Sequence, residues 1–472
     1  MSFSVVAVVS AAPRSAPAVV RAMPSSSKSE VERKFLVDRD LPGLPGPGGI
    51  PIEQGYLAID EQSEVRLRRA GKYLTLTVKN GHGETRQEVE VEIGPKAFDD
   101  LWPETAGRRI RKVRRKVDLA SGLVAELDIY SGNLDGTSVV EVEFESEEQA
   151  LGFRPPVWFG RELTGDQAWA NRSLAVAGKP GKRFEFRLRP GEEPVSGICR
   201  VIAARVSQAA VEVRKAGEAD DPAGHVHEAR KNLKKARSAL RLLRGVITDD
   251  ERQRMNSICQ NASSHLSGAR DAEVKLATLV EVLGERRAPD AAGPWRESLE
   301  TEAKGHREDL TAEALNEVAD SLETVGRAFR GRELPGNPEL VAGNAGRGYR
   351  RGRKAMKSAR RDENPELFHD WRKRAKDLRY QLEILETRLP DEFAEVRADA
   401  EKLADWLGDL HDFDVLADDL AEREMEASER AVLTGLISDA RESQVGDCLD
   451  LGEVTYPVKP RRFTNQLAEY LR

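Results

Sequence analysis

The sequence predicts two domains of different class, an N-terminal antiparallel β domain and a C-terminal all-α domain. Three observations carry this. From Glu30 to about Glu145, apolar and charged residues alternate with a period of two, the mark of strands. From about Val195 onward the period is 3.6, in sequence rich in Ala, Leu, Arg and Glu, the mark of helices. Between them, Gly178-Lys-Pro-Gly181 and Pro190-Gly-Glu-Glu-Pro194 read as a turn-rich linker. The expected divisions are a leader (1–27), a β domain (28–178), a linker (179–194) and a helical domain (195–472). Leu334-Pro-Gly-Asn-Pro338 splits the helical domain into halves, about 195–333 and 339–472. A Gly/Pro cluster from Leu41 to Pro51 reads as a loop after the first strand.

A length of 472 residues suits two or three domains, and 39% hydrophobic with 33% charged residues suits globular cores under a charged surface. The net charge of −7 excludes a uniformly basic nucleic-acid binder but not local basic patches. Three distant cysteines (Cys199, Cys259, Cys448) make neither a disulfide framework nor a thiolate cluster, which predicts a reducing intracellular compartment. The seven histidines show no zinc-binding spacing. The first 29 residues carry Arg14, Arg21 and Lys28 and no acidic side chain. That composition can belong to an organelle transit peptide, but the preferred reading is an over-long start with Met23 as the initiator. No apolar run reaches membrane-spanning length, so a soluble protein is expected.

Taken in order, the strands share one feature. Glu30, Glu32 and Lys34 fall on one face of the first strand, with Val31, Arg33 and Phe35 on the other. Arg66 and Arg68 alternate with Val65 and Leu67, and Thr75, Thr77 and Lys79 alternate with Leu74, Leu76 and Val78. Glu88, Glu90 and Glu92 oppose Val89, Val91 and Ile93. Lys112, Arg114 and Lys116 share a face that Arg111 and Arg115 blur on the other side. Glu126 and Asp128 oppose Leu127 and Ile129, and Glu141, Glu143 and Glu145 oppose Val142 and Phe144. Successive side chains on a strand point to opposite faces, so each strand has one charged and one mostly apolar face.

Such alternation also fits an ordinary sheet with its charged face in water. The distribution of sign favours another arrangement, because some strand faces are wholly acidic and others wholly basic. A sheet closed with those faces inward would set arginines and lysines beside clustered carboxylates. Arginines and lysines hold phosphate oxygens through charge-assisted hydrogen bonds. Carboxylates hold hard divalent cations such as Mg²⁺ or Mn²⁺.

Glu30-Val-Glu32-Arg-Lys34 resembles the ExExK signature of the CYTH domain, the triphosphate tunnel metalloenzyme family. Glu53-Gln-Gly-Tyr-Leu57, Val65-Arg-Leu-Arg68, Leu76-Thr-Val-Lys79, Glu126-Leu-Asp128 and Glu141-Val-Glu143 resemble its later blocks, in order. The resemblance implies an eight-stranded antiparallel β tunnel (α+β) whose polar interior takes tripolyphosphate-like substrates with Mg²⁺ or Mn²⁺. It implies Glu30, Glu32, Glu141 and Glu143 as metal ligands, and Lys34, Arg66, Arg68, Lys79, Lys112 and Arg114 as phosphate grips. Glu30, Glu32 and Lys34 would be the catalytic signature. Trp169 stands where the family more often has Tyr, which leaves the tunnel's closing block less defined.

The helical domain contains a repeat. His227-Glu-Ala-Arg230-Lys-Asn-Leu-Lys234-Lys-Ala-Arg237 aligns with His369-Asp-Trp-Arg372-Lys-Arg-Ala-Lys376-Asp-Leu-Arg379. The basic residues follow each histidine by three, seven and ten positions, one stripe of a helix. Arg241 and Arg244 extend the first stripe, and Arg350, Arg353, Lys357 and Arg360 repeat the spacing before the second. Related turns are expected at Ser267-Gly-Ala-Arg270-Asp271 and Leu407-Gly-Asp-Leu-His411-Asp412. A charge run can be a mere solvated face. These stripes contain no acid among their basic residues, however, and like charges at that spacing cost about 0.2–0.5 kcal/mol a pair. An anion laid across them would remove that cost.

The repeat resembles the CHAD domain, the conserved histidine α-helical domain, a pair of repeated helical bundles often fused to CYTH. The resemblance implies binding of inorganic polyphosphate by His227, Arg230, Lys234, Arg237, Arg241, His369, Arg372, Lys376 and Arg379, and the matching spacing adds Arg350, Arg353 and Lys357 as candidates. His411 and Ser267 depart from the family pattern at the two turns. The expected protein is a metal-dependent inorganic triphosphatase, a phosphoanhydride hydrolase, with a polyphosphate-binding helical domain. It would reside in the cytoplasm or at polyphosphate granules. The alternative is a non-catalytic polyphosphate-binding or granule-associated protein. RNA is disfavoured because single-strand readers interleave aromatic platforms with basic groups. Trp371 and Tyr380 beside the second stripe have the phase of core residues. The expected partners are therefore polyphosphate and tripolyphosphate, with neither membrane nor nucleic acid. Oligomeric state is left open by the sequence.

Overall fold

The computed structural model describes residues 31–37, 48–60, 63–80, 87–119, 122–266, 268–284, 292–308 and 311–472. The leader, Glu30 and most of the Leu41–Pro51 cluster lie outside these residues. An N-terminal antiparallel sheet is followed by a helical domain. Nine strands are described, one more than the eight expected. They are β1 (Val31–Val37), β2 (Ile50–Ile59), β3 (Ser63–Ala70), β4 (Tyr73–Asn80), β5 (Gln87–Glu92), β6 (Arg109–Asp118), β7 (Val124–Ser131), β8 (Ser138–Phe144) and β9 (Phe159–Glu162). The chain forms two compact units, one of Met1–Val31, Pro45–Thr137 and Ala170–Gly178, the other of Glu32–Leu44, Ser138–Trp169 and Lys179–Arg472.

In the first unit the strands run in the hydrogen-bonded order β5-β4-β3-β2-β6-β7. Register places Thr77 opposite both Arg66 and Glu90, and Thr75 opposite both Arg68 and Glu92. Lys112 faces Tyr130 and Arg114 faces Asp128. The charged face of this sheet is enclosed, and its apolar face is buried only in part, at Leu67, Ala125 and Leu127. Glu64, Arg66, Thr77, Lys112 and Asp128 are buried, while Val65, Leu74, Leu76, Val78 and Val91 are only half-buried. Val89 is 55% exposed. The enclosed charged face is the one the alternation marked.

In the second unit β8, β1 and β9 pair in that order, with Phe35 opposite Glu162. The helices begin with three short ones, α1 (Pro95–Leu101), α2 (Glu147–Gly152) and α3 (Asn171–Ala177). The first repeat holds α4 (Pro194–Glu218), α5 (Ala223–Leu242), α6 (Asp249–His265), α7 (Gly268–Leu283), α8 (Ala292–Glu308) and α9 (Ala312–Phe329). The second holds α10 (Pro338–Asp362), α11 (Pro365–Leu385), α12 (Asp391–Glu422), α13 (Ala427–Thr455) and α14 (Pro460–Leu471). Helices α4 and α10 open each repeat with equal lengths of 25 residues and a first-turn proline behind a side-chain cap. Trp371 (0% exposed) and Tyr380 (7%) are core residues, as their phase indicated.

Two details differ from the sequence reading. Leu407–Asp412 is not a turn, because α12 runs unbroken through it and its apolar residues Leu403, Ala404, Leu407 and Leu410 keep helical period and are buried. Segment 179–194 is strapped to the helices. Leu188 is fully buried and its N–H donates to the Ile384 carbonyl at 2.9 Å, while Arg200 donates to the carbonyls of Glu185 and Arg187.

Helices α5 and α11 meet through ion pairs. Arg205 of α4 and Lys235 of α5 both reach Glu383 of α11 at 2.8 Å, and Arg241 reaches Asp377 at 3.0 Å. Burial opposes the charge on Glu383, but Lys235 and Arg205 outweigh it and hold the carboxyl below its ordinary value. A depressed carboxyl stabilises the fold above its unfolded pKa, about 4.3, and that stability is lost as pH falls through the lower folded value. Glu383→Ala is expected to cost about 3–5 kcal/mol in urea unfolding at neutral pH, because buried Arg205 and half-buried Lys235 lose their shared partner. The difference from wild type should shrink as the pH is lowered below 4.3 or so; a pH-independent difference would refute this role.

Candidate functional site

On the enclosed face of the first unit, Arg66 and Arg68 of β3 stand side by side. Arg66 pairs with Glu88 at 3.3 Å, a carboxylate that also takes Lys79. Its Nε is buried without a hydrogen-bond partner, and so is Thr75 Oγ1. Arg68 donates from Nε to Gln54 Oε1 at 3.2 Å, and Gln54 donates in turn to the Tyr56 hydroxyl at 2.6 Å. Among the described residues Arg68 has no ion-pair partner. Burial, and then Arg66 and Arg114, push its guanidinium below the ordinary value. Burial chiefly raises the Tyr56 phenol, so the hydroxyl that accepts from Gln54 stays protonated.

The neighbouring pair β6 and β7 shows the opposite condition. Lys112 Nζ donates to Asp128 Oδ2 at 2.6 Å, and Arg114 grips the same carboxylate through Nε at 2.7 Å and Nη2 at 2.6 Å. Arg114 also pairs with Glu126. Asp128 and the Lys112 side chain are fully buried. Of the sequence-predicted grips, Arg66, Arg68 and Lys79 therefore share β3 and β4, while Lys112 and Arg114 converge on Asp128. Asp128 was not assigned a site role from sequence. The signal lay in register, which sets it directly across from Arg114.

In the second unit Lys34 Nζ lies 2.9 Å from Glu141 Oε1, so β1 and β8 turn the faces bearing Glu32, Lys34, Glu141 and Glu143 the same way. Glu32 and Glu143 are exposed and Glu141 half-buried. Their oxygen donors suit a hard divalent cation. The described residues alone assemble no group of three or more metal-ligating side chains, and Glu30, the fourth predicted ligand, lies outside them.

A second cationic cluster forms where the stripes of α5 and α11 meet α12. Burial, then Arg372 and Lys234, push the Lys376 ammonium down to about 7, so a cation from each stripe shares one neighbourhood. The rings of His369 and His411 lie 4.3 Å apart. Burial and Arg372 push His411 down to about 4, and burial with Lys373 lowers His369. His369 Nδ1 and Arg372 Nε are buried without hydrogen-bond partners. Gly408 faces Arg372, where an added Cβ would stand 3.3 Å from Nη2. That close approach gives the glycine a role within a continuous helix.

The other stripe residues divide. His227 and Lys234 are exposed, and Arg230 donates to the Leu266 carbonyl at 3.2 Å. Arg237 donates to Asn256 and Gln260 rather than to a carboxylate. Arg241 and Arg379 are held by acids, Arg241 by Asp377 and Arg379 by Glu401 and Asp405. Arg350 and Lys357 are exposed on α10, while Arg353 is half-buried with its Nε unpartnered. The side chains of Arg270 and Asp271 lie outside the described residues. His411 joins the cluster although sequence did not place it there.

A CYTH domain model matches residues 28–154 and a CHAD domain model residues 200–421. An inorganic triphosphatase of Nitrosomonas europaea is 42% identical over 154 residues, 32% of this chain and 98% of that protein. One from Acetivibrio thermocellus is 32% identical over 158 residues, 33% of this chain and 97% of its own. The crystal structure of the CHAD domain from the plant Ricinus communis is 19% identical, covering 59% of this chain and 97% of its own with a TM-score of 0.47.

The contrast between Asp128 and Arg68 is open to measurement. Asp128→Ala removes the buried carboxylate shared by the fully buried Lys112 and by Arg114, which keeps only Glu126, and is expected to lower the unfolding free energy by about 3–5 kcal/mol. Arg68→Ala removes a cation with no ion pair and is expected to cost less than about 1.5 kcal/mol, the scale of a typical hydrogen bond. Equal losses in urea unfolding would show that both are structural.

Proposed function

The chain is a CYTH–CHAD fusion protein, and we propose that its sheet hydrolyses tripolyphosphate-like substrates while its helical domain binds inorganic polyphosphate. The observation that carries the first half is the adjacent pair of buried Arg66, with an orphaned guanidinium nitrogen, and half-buried Arg68, with no ion-pair partner among the described residues. Cations left in that state call for an anion, and a chain of phosphates supplies several oxygens at once. The 42% identity to an inorganic triphosphatase supports the same reading.

In this reaction water adds to a terminal phosphorus and the bond to the bridging oxygen breaks, giving phosphate and pyrophosphate. Arg66, Arg68 and Lys79 would hold the equatorial oxygens of the transferring group, and Lys112 and Arg114 the rest of the chain. Negative charge that develops on the leaving bridging oxygen meets these fixed cations in a site where little reorganisation is needed. Lys34, paired with Glu141 before substrate enters, would shift to a phosphate oxygen. A divalent ion, Mg²⁺ or Mn²⁺, held by Glu30, Glu32, Glu141 and Glu143 would neutralise phosphate charge when bound.

For the helical domain, the half-buried cluster of His369, Arg372 and Lys376 with Lys234 supports polyphosphate as ligand. The cluster is cationic, its buried ring and guanidinium nitrogens lack partners, and no aromatic platform lies among the stripe residues. Helices α5 and α11 each contribute to it, so an extended polyanion could bridge the two repeats. Among the described residues no helix is long and apolar enough to cross a membrane.

Phosphate release from tripolyphosphate with Mg²⁺ tests the first half. Turnover is expected in the wild type, with losses of about 10²–10³ in Glu32→Gln and in Arg68→Ala. No turnover in a folded wild type that still binds polyphosphate would favour the binding-protein alternative. For the second half, charge reversal at Arg230 and Arg372 should abolish polyphosphate binding and leave tripolyphosphate hydrolysis intact. Affinity should fall steeply with salt as counterions are released, and also as pH rises through about 7, where Lys376 loses its proton. Salt-insensitive binding would sink the cationic-cluster model.

A further inference from the structure

We propose that the helical domain positions the tunnel lysine Lys34 through a buried hydrogen-bonded relay, and that Thr164, Glu162, Arg330 and Glu323 are its positioning residues. The proposal rests on the reading of Lys34 as part of the hydrolytic site. All the residues concerned lie in one compact unit.

The relay starts at the backbone of Lys34. Its N–H donates to Thr164 Oγ1 at 2.9 Å, and its carbonyl accepts from the Leu163 N–H at 2.7 Å. Both main-chain groups of this one residue therefore end on the segment that follows β9. The Thr164 hydroxyl donates onward to Glu162 Oε1 at 2.7 Å. Glu162 is gripped by Arg33 through Nε at 2.9 Å and Nη2 at 2.7 Å, and its Oε2 also accepts from Arg330, which follows α9. The Glu162 N–H donates to Ser207 Oγ of α4 at 2.9 Å. Arg33 reaches on to Glu323 of α9 at 2.9 Å, and Arg214 of α4 takes the other oxygen of Glu323.

The backbone reinforces the side chains. Gly165 (φ 75°) and Gly331 (φ 62°), which follow Thr164 and Arg330, touch so closely that a Cβ on Gly165 would lie 3.2 Å from the Gly331 Cα. The turn carrying Thr164 is thus seated on the end of α9. Strand alternation completes the link, since Arg33 points toward the helices and Lys34, its neighbour, toward Glu141. Neither side chain of β1 can shift along the strand without the other. Burial works against the charge on Arg33, yet Glu162 and Glu323 raise its pKa, so the anchor stays ionised. Burial likewise works against Glu162, and Arg330 and Arg33 hold its carboxyl below the ordinary range.

An ordinary structural ion network would support the fold and leave turnover of the folded protein unchanged. A positioning relay instead moves kcat, because misplacement of a reacting group by about 1 Å can cost on the order of 10² in rate. The test uses the full chain with Thr164→Val, Thr164→Ser and Glu323→Gln. Each is assayed for tripolyphosphate hydrolysis with Mg²⁺, for amide hydrogen exchange at Lys34, and for thermal midpoint. Thr164→Val keeps the branched shape but removes both hydrogen bonds, and Thr164→Ser restores the hydroxyl. Expected are a fall in kcat of at least about tenfold in Thr164→Val with KM changed less, faster exchange at Lys34, and recovery of both in Thr164→Ser. Glu323→Gln, although on α9, should also speed exchange at Lys34 and lower kcat. Wild-type kcat and exchange in folded Thr164→Val, or a lowered midpoint in Glu323→Gln with both unchanged, would overturn the proposal. If the wild type itself releases no phosphate, the site reading fails, and the relay still stands or falls on Lys34 exchange in the two variants.

Discussion

The constraint on which this structure depends is the cost of a buried cation without an anion. At an effective dielectric of about 20, two like charges 4 Å apart repel by roughly 4 kcal/mol, and desolvation adds to that. The protein answers the cost in two ways. In one, a single carboxylate is shared between two cations. Asp128 joins Lys112 and Arg114, Glu162 joins Arg33 and Arg330, and Glu383 joins Arg205 and Lys235. In the other, cations are left short of partners. Arg68 of the sheet and Lys376 of the helical domain both have pKa values lowered by burial and by other cations.

That division separates scaffold from site more sharply than charge content does. Arg241 and Arg379 belong to the basic stripes by spacing, but Asp377, Glu401 and Asp405 hold them, so their first task is helix packing. Arg372, three residues after His369, has an orphaned buried nitrogen and a glycine opposite it. A polyanion would gain more from Arg372 than from Arg379, since no existing ion pair has to break. Within the sheet the same reasoning places Arg68 ahead of Arg114.

Much of this was legible in the sequence. Period two and period 3.6 divided the chain into sheet and helices, and the segregation of acidic from basic strand faces pointed to an enclosed charged interior. That interior is the face on which Arg66 and Thr77 are buried while Val89 is exposed. What sequence could not carry was register and long-range pairing. Asp128 becomes the counter-ion of Lys112 and Arg114 only once β6 and β7 are aligned. Leu407–Asp412 reads as a turn because it contains Gly408 among acids, but a glycine breaks a helix only weakly, by about 1 kcal/mol. The buried apolar period from Leu403 to Leu410 outweighs it. The strapping of 179–194 depends on Leu188 and Arg200, whose partners are distant in the chain or are backbone carbonyls, and composition carries no sign of either.

The strand β1 shows why such distant pairing bears on chemistry as well as stability. A β-strand offers two faces through one backbone, so it can be fixed from one side and act on the other. Here the fixing side is ionic: Arg33 is held by Glu162 and Glu323. An apolar side chain at that position could bury as much surface, yet its contact would be non-directional and would define the strand's position along its own axis only loosely. Paired guanidinium and carboxylate groups fix distance and angle together. If Lys34 grips phosphate as proposed, it must be placed to within a fraction of an ångström, so a directional anchor suits the face behind it even where an apolar one would stabilise the fold as well.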